Sequence, residues 1–166
     1  MARAAVEWIG NCCLIVACIA VTVAAARSLG SPPASTTPSQ PGYERGAIFP
    51  AIDGVQFGSR DKTLILFVST RCKYCDESLP FYQQLSESPR AGWQLVAIGS
   101  DPADALEAYL KKHSVSMDKV VSVRPEKFKL AGTPTMILTD RDGRVTGYWR
   151  GALRDREQEV LSAVAR

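Results

Sequence analysis

Continuous apolar runs and amphipathic stretches alternate along most of the chain. Residues 63–69 and 93–99 are apolar on both sides of a strand, which is typical of central strands buried on both faces of a sheet. A third run at residues 135–139 and the stretch at 145–149 flank an Asp- and Gly-containing turn at 140–143. This spacing predicts an antiparallel hairpin.

The segments between these strands carry helical patterns. Residues 72–87 place apolar side chains on one side of a helix, namely Leu79, Tyr82 and Leu85. Asp101 and Pro102 fit the N-cap and first turn of a second helix that ends near residue 113. The other expected elements are a short strand or hairpin at 55–57, a short strand at 120–123, a short helix at 125–130 and an amphipathic helix at 154–165. The order β-α-β-α-β-α-β-β-α predicts an α/β fold, a mixed sheet with helices on both faces.

The N-terminal segment has a different pattern. Residues 8–26 form a stretch of 19 residues without a charge, and about 20 apolar residues suffice to cross a bilayer as a helix. We therefore predict a transmembrane helix in an N-terminal anchor, residues 1–27. Three alternatives stay open: cleavage as a signal peptide after a run of alanines, lipoprotein processing at Cys18, and a hydrophobic core helix. Arg3 and Arg27 flank the stretch, so the charge bias does not decide its orientation.

A linker and one globular domain follow this segment. Residues 28–46 are rich in proline and small polar residues that cannot bury a core, so we expect an extended linker. Residues 47–166 then form a single domain of ordinary size. Both the anchor and the signal-peptide interpretation favour export, which predicts a domain on the periplasmic or outer face of a cell membrane.

The composition excludes some functions and draws attention to the cysteines. Hydrophobic residues make up 46% of the chain, charged residues 22%, and the net charge is +3, with Lys and Arg scattered, so we expect no nucleic-acid partner. Three of the five cysteines lie in the N-terminal apolar stretch, which leaves Cys72 and Cys75 for the domain. One close pair is either redox-active or half of a metal site. A closed zinc site needs two more ligands, and the one histidine, His113, lies at a lysine-rich helix end, so we expect no metal.

The pair Cys72 and Cys75 is predicted to lie where a buried strand meets a helix. A sulfur at a helix start faces unpaired backbone N–H groups, which stabilise a thiolate. We therefore assign Cys72 as the attacking nucleophile and Cys75, one turn further on, as the resolving thiol. Residues 71, 73 and 74 are the candidates for tuning the thiolate and the potential of the pair, namely Arg71, Lys73 and Tyr74. No bound cofactor is needed, because the electrons reside in the dithiol.

Two more features accompany the Cys-x-x-Cys motif. Pro80 lies inside the helix, where proline costs about 3 kcal/mol and causes a kink. The tripeptide Thr133-Pro134-Thr135 comes just before a strand. With these features the chain resembles the thioredoxin superfamily, in particular its membrane-anchored thiol-disulfide oxidoreductases of the TlpA/ResA type, over residues 46–164.

The resemblance implies a site and a function. In that family the proline at the position of Pro134 is cis and lies beside the sulfurs, and the backbone at the position of Thr133 pairs with the substrate peptide. The resemblance further implies reduction of exported cysteine-containing clients, such as apocytochromes c. The residues themselves leave the direction of electron flow open, so the expected membrane partner is an electron donor or acceptor.

The chain departs from the family at several positions, and the pair Lys73-Tyr74 between the cysteines differs from the pairs usual in the family. Arg71 replaces the usual Trp before the first cysteine, Ser78 replaces a common Glu, and Leu66 replaces the buried Asp of thioredoxins. Deprotonation of Cys75 therefore lacks its usual helper, unless Glu77 or a water serves. The alternative function is a redox-inert thioredoxin-fold binding or scaffold module in which the two cysteines form a structural disulfide.

Overall fold

The computed structural model describes residues 42–166. The predicted anchor or signal at 1–27 and most of the predicted linker at 28–46 lie outside the described residues. Within residues 42–166 no helix has the length and apolar character needed to cross a bilayer.

A five-stranded mixed sheet forms the centre of the domain. Its strands are β1 Lys62–Phe67, β2 Trp93–Gly99, β3 Lys119–Ser122, β4 Thr135–Asp140 and β5 Val145–Arg150. They lie in the order β3-β2-β1-β4-β5; β1, β2 and β3 are parallel, and β4 is antiparallel to both β1 and β5. The predicted central strands and the C-terminal hairpin are thus confirmed.

Four α-helices and three 3-10 helices complete the described domain. The α-helices are α1 Lys73–Glu77, α2 Leu79–Glu87, α3 Ala103–Lys112 and α4 Glu157–Ala165. The 3-10 helices are Phe57–Ser59, Pro125–Phe128 and Arg154–Arg156. The predicted helix at 72–87 is divided at Ser78, two residues before Pro80, because proline lacks the N–H that would continue the helical hydrogen bonds.

The prediction of a strand or hairpin at 55–57 is wrong. The N–H groups of Val55 and Ser59 donate to carbonyl oxygens three residues earlier, those of Ile52 and Gln56, at 3.0 and 3.2 Å. The segment therefore satisfies its backbone locally, as a turn and a 3-10 helix, and does not pair with the sheet.

The helical layer also differs from the prediction of helices on both faces. Side chains alternate across β1, so that Leu64 and Leu66 face one side and Ile65 and Phe67 the other. All the described α-helices contribute their buried residues to the side of Leu64. The opposite side is covered by the segment around Phe49 and Ile52 and by Phe128 of a 3-10 helix.

The connection between β3 and β4 explains this difference. Its 3-10 helix stops at Lys129, which has a left-handed φ of 48°, a conformation that cannot continue a right-handed helix. Only one turn of helix therefore fits on the second face before β4 begins.

Candidate active site

Cys72 lies at the end of the central strand β1 and caps the short helix α1. Its backbone is extended (φ −96°, ψ 106°), and its Sγ accepts a hydrogen bond from the N–H of Cys75 at 3.2 Å. Its carbonyl oxygen accepts bonds from the N–H groups of Cys75 and Asp76 at 2.9 and 3.1 Å. The placement predicted from the sequence is therefore observed, with the Cys72 sulfur half-buried and directed at a backbone donor.

Cys75 has a very different environment from Cys72. It is fully buried in the core beside α2, and both cysteines are free thiols. Burial, followed by a hydrogen bond with the Cys72 sulfur, raises the pKa of Cys75 to about 12. A hydrogen bond from the backbone of Ser69 and one from the side chain of Thr133 lower it in part. The pair thus consists of a half-buried cysteine and a fully buried one that holds its proton strongly.

The loop before β4 brings Thr133 and Pro134 to the cysteines. The Thr133–Pro134 peptide is cis, as the resemblance implied, and the Thr133 side chain interacts with Cys75. The loop is held by two hydrogen bonds: Thr135 Oγ1 donates to the Gly132 carbonyl at 2.7 Å, and the Gly151 N–H donates to the Pro134 carbonyl at 2.8 Å. These bonds tie the loop to the start of β4 and the end of β5.

The three candidate tuning residues lie around the exposed side of the pair. Arg71, Lys73 and Tyr74 are all exposed, and the Tyr74 side chain keeps 56% of its accessible surface. Arg71 lies near enough to attract the Asp101 carboxylate. The effect of these three residues on the potential stays a prediction.

Asp101 is a site residue that the sequence pattern placed wrongly. The helix α3 begins at Ala103 with Pro102 as its N-cap, so Asp101 is too early in the chain to cap it. Its carboxylate instead accepts the Thr70 N–H at 2.9 Å, in the loop that leads to Cys72. This hydrogen bond is the main reason that the pKa of Asp101 is lowered, with smaller contributions from Ser69 and Arg71.

The acidic residues that follow Cys75 are both engaged. Asp76 accepts a hydrogen bond from the Tyr109 hydroxyl at 2.7 Å. Glu77, which the sequence suggested as a proton acceptor for Cys75, is exposed and lies 3.6 Å from the Arg154 guanidinium. Within residues 42–166 no cluster of three or more His, Cys, Asp or Glu side chains is arranged to hold a metal ion.

A dithiol at the end of the central strand, a divided helix behind it and a cis-proline loop beside it together define a protein of the thioredoxin fold. The chain belongs to the Thioredoxin-like domain family, whose model matches residues 56–164, more than half of the chain. Among curated proteins, none matches the sequence significantly.

Several solved structures of similar fold are thiol-disulfide oxidoreductases and related proteins. The thioredoxin domain of a thiol-disulfide oxidoreductase from Bacteroides vulgatus is 17% identical with a TM-score of 0.58, over 74% of this chain and 99% of that one. A thiol-disulfide isomerase from Corynebacterium glutamicum is 17% identical with a TM-score of 0.56, over 74% and 92%. StoA from Bacillus subtilis is 18% identical with a TM-score of 0.52, over 64% and 83%. At these identities the similarity establishes the fold.

Proposed function

We propose that this protein is a membrane-tethered, extracytoplasmic thiol-disulfide oxidoreductase that reduces disulfides of exported client proteins, for example in cytochrome c maturation. The observation that carries the proposal is the asymmetry of the two thiols. Cys72 is half-buried and its sulfur accepts a backbone N–H, whereas Cys75 is fully buried. Such a pair suits one sulfur that meets the client and one that attacks only from within.

The proposed reaction has two exchange steps. The Cys72 thiolate attacks one sulfur of a client disulfide, which forms a mixed disulfide and releases the other client sulfur as a thiolate. Cys75 then loses its proton to water and attacks the Cys72 Sγ, which forms the Cys72–Cys75 disulfide and releases the second client sulfur. Two electrons pass from the dithiol to the client, and the two client thiolates each take up a proton.

Thr133 and Pro134 are proposed to hold the client beside the sulfurs. Thr133 is half-buried and its side chain interacts with Cys75, so a peptide lying along this residue would present its cysteine to Cys72. The exposed Tyr74 ring lies one residue before Cys75 and offers an apolar contact to the same peptide.

The location and the electron source are also part of the proposal. The uncharged stretch at 8–26 supports a membrane anchor, with the domain on the periplasmic or outer face. Each client reduction leaves the pair oxidised, so a membrane protein that donates two electrons and two protons must return it to the dithiol.

The test is a comparison of two serine variants of the full chain in its own cells. Cys75→Ser should accumulate mixed disulfides with exported proteins through Cys72, and Cys72→Ser should accumulate none. Non-reducing electrophoresis with mass spectrometry measures both. Equal trapping by the two variants would contradict the assigned roles, and a client lacking an export signal would contradict the location.

The reduction potential of the purified full chain in mild detergent then decides the direction of electron flow. A value of about −270 mV supports a reductase, and one above about −180 mV favours an oxidase or isomerase. A Cys72–Cys75 disulfide that neither dithiothreitol nor reduced glutathione opens in the folded protein would leave the redox-inert binding module as the function.

A further inference from the structure

The Tyr82 hydroxyl is buried without a hydrogen-bond partner. Tyr82 is fully buried on α2, and its hydroxyl oxygen is the one buried side-chain polar atom in residues 42–166 that finds no partner. A buried hydroxyl without a partner destabilises a fold. A phenylalanine would fill the same space without that penalty, so packing alone does not account for the hydroxyl.

The position of Tyr82 relates it to the two cysteines. It follows Cys75 by seven residues, with the break at Ser78 between them, and both side chains are fully buried. Both residues are buried in the same cluster. Long side chains on a helix point toward its N-terminus, so we expect the Tyr82 ring to lean back along α2, in the direction of Ser78.

The groups that shift the pKa of the Tyr82 hydroxyl are consistent with this orientation of the side chain. Its pKa is raised, first by burial and then by the charge of Cys75, with a smaller effect of Cys72, while the Ser78 hydroxyl lowers it. Tyr82 therefore keeps its proton and can act as a hydrogen-bond donor, but not as a base. Ser78 donates its own hydroxyl proton to the Tyr74 carbonyl at 2.8 Å, and its oxygen, which could still accept a proton, makes no hydrogen bond with the Tyr82 hydroxyl in this structure.

We propose that the Tyr82 hydroxyl donates a hydrogen bond to the Cys75 sulfur when that sulfur becomes a thiolate during resolution of the mixed disulfide. In the reduced pair Cys75 carries its proton, and a neutral thiol is a weak acceptor, which explains why the hydroxyl has no partner there. A thiolate is a strong acceptor, and a bond to a charged group is about twice as strong as a neutral one. This inference rests on the proposed function and assigns a helper for Cys75 where Leu66 and Ser78 stand in place of acids.

The proton balance of the step is simple. Cys75 gives its proton to water, and its thiolate attacks Cys72 Sγ, which forms the internal disulfide and breaks the bond to the client. The client sulfur leaves as a thiolate and is protonated by solvent. Tyr82 keeps its own proton throughout and stabilises the charge on Cys75 while it exists.

The test is Tyr82→Phe in the full chain, with the two steps measured separately. Release of a client peptide from the mixed disulfide should slow about threefold, because the loss of one bond to a charged group leaves about tenfold less Cys75 thiolate, whose higher pKa makes it about threefold more nucleophilic. Formation of the mixed disulfide should be equal, within twofold, in Cys75→Ser and in Cys75→Ser with Tyr82→Phe. The thermal midpoint should not fall, because the variant removes an unsatisfied hydroxyl.

The pH dependence and the potential provide readouts that a merely structural role would not give. In Tyr82→Phe, the rise of the client-release rate with pH should be displaced to higher pH than in the parent. The potential at pH 7 should stay the same, because Cys75 is a neutral thiol in the reduced pair at that pH.

A matched control is Tyr43→Phe, on the opposite side of the sheet. The Tyr43 hydroxyl donates to the Phe128 carbonyl at 2.7 Å, so its loss should lower stability and leave client release unchanged. A Tyr82→Phe variant that releases client at the parent rate, or that slows both steps equally, would overturn the inference. A parent protein that forms no reversible disulfide would instead overturn the proposed function.

Discussion

At the scale of single residues, the two cysteines are made unequal by their neighbours. The half-buried Cys72 sulfur accepts the N–H of Cys75, whereas Cys75 is enclosed by the core. The loop that carries Cys72 is held in turn from outside its own element, because Asp101 accepts the Thr70 N–H at 2.9 Å. A residue 31 positions away from Thr70 along the chain thus supports the loop that carries the Cys72 sulfur.

Asp101→Asn should weaken that support. The amide oxygen can still accept the Thr70 N–H, but the charge that strengthens the bond and attracts Arg71 is lost. We expect the free energy of unfolding at pH 7 to fall by about 1 kcal/mol and mixed-disulfide formation by Cys72 to slow, with a larger effect in Asp101→Ala.

The pH dependence of this difference has a definite sign. The pKa of Asp101 is lower in the folded protein, so its contribution to stability is present at neutral pH and is lost as the carboxyl takes up a proton at acid pH. Urea unfolding of parent and variant from pH 7 down to pH 3 measures it. A stability difference that stays constant over that range would contradict the role of the charge.

At the scale of elements, the strands were predictable and several connections were not. β1 and β2 are apolar on both faces, so residue type alone predicts that they are buried. Residues 55–57 have a similar composition, but local turn bonds satisfy their backbone. The hydrogen bond that Asp101 makes and the lack of a partner for the Tyr82 hydroxyl both depend on contacts between distant elements. The spacing of apolar residues does not predict such contacts. Thr133 was found through the family resemblance.

The packing between β2, α3 and the loop to Cys72 leaves no room for a side chain at Gly99. A methyl group there would collide with the Val68 carbonyl oxygen and come within 2.9 Å of Leu106 Cδ1. Gly99→Ala should therefore lower the free energy of unfolding by about 1–3 kcal/mol, and slow exchange because Val68 leads to Cys72. Gly58→Ala is the control, since its methyl would meet nothing closer than 3.8 Å. Equal stabilities of the two variants in chemical denaturation would refute this account of the packing.

At the scale of the whole molecule, the first described residues are part of the folded domain. The Tyr43 ring lies 5.0 Å from that of Phe49, and its hydroxyl donates to the Phe128 carbonyl. The Gly46 N–H donates to the Val145 carbonyl at 2.7 Å, at the start of the edge strand β5. The predicted start of the domain at residue 47 was based on the change in composition. Composition alone does not show that an aromatic residue before that point packs on a distant loop.

These contacts predict that the position of the cut decides the stability of a soluble domain. A chain of residues 42–166 should be more stable than one of residues 47–166 by about 1–3 kcal/mol, from the half-buried Tyr43 ring and its hydrogen bond. Urea unfolding of both chains measures the difference. Tyr43→Phe in the longer chain separates the two terms, since it keeps the ring contact and removes only the bond to Phe128. If the two chains unfold at the same urea concentration, the segment before residue 47 contributes nothing to the fold. If instead the shorter chain is less stable yet exchanges disulfides at the same rate, the segment supports the domain without shaping the site. We expect this second outcome, because the segment contacts β5, which β4 separates from β1 in the sheet.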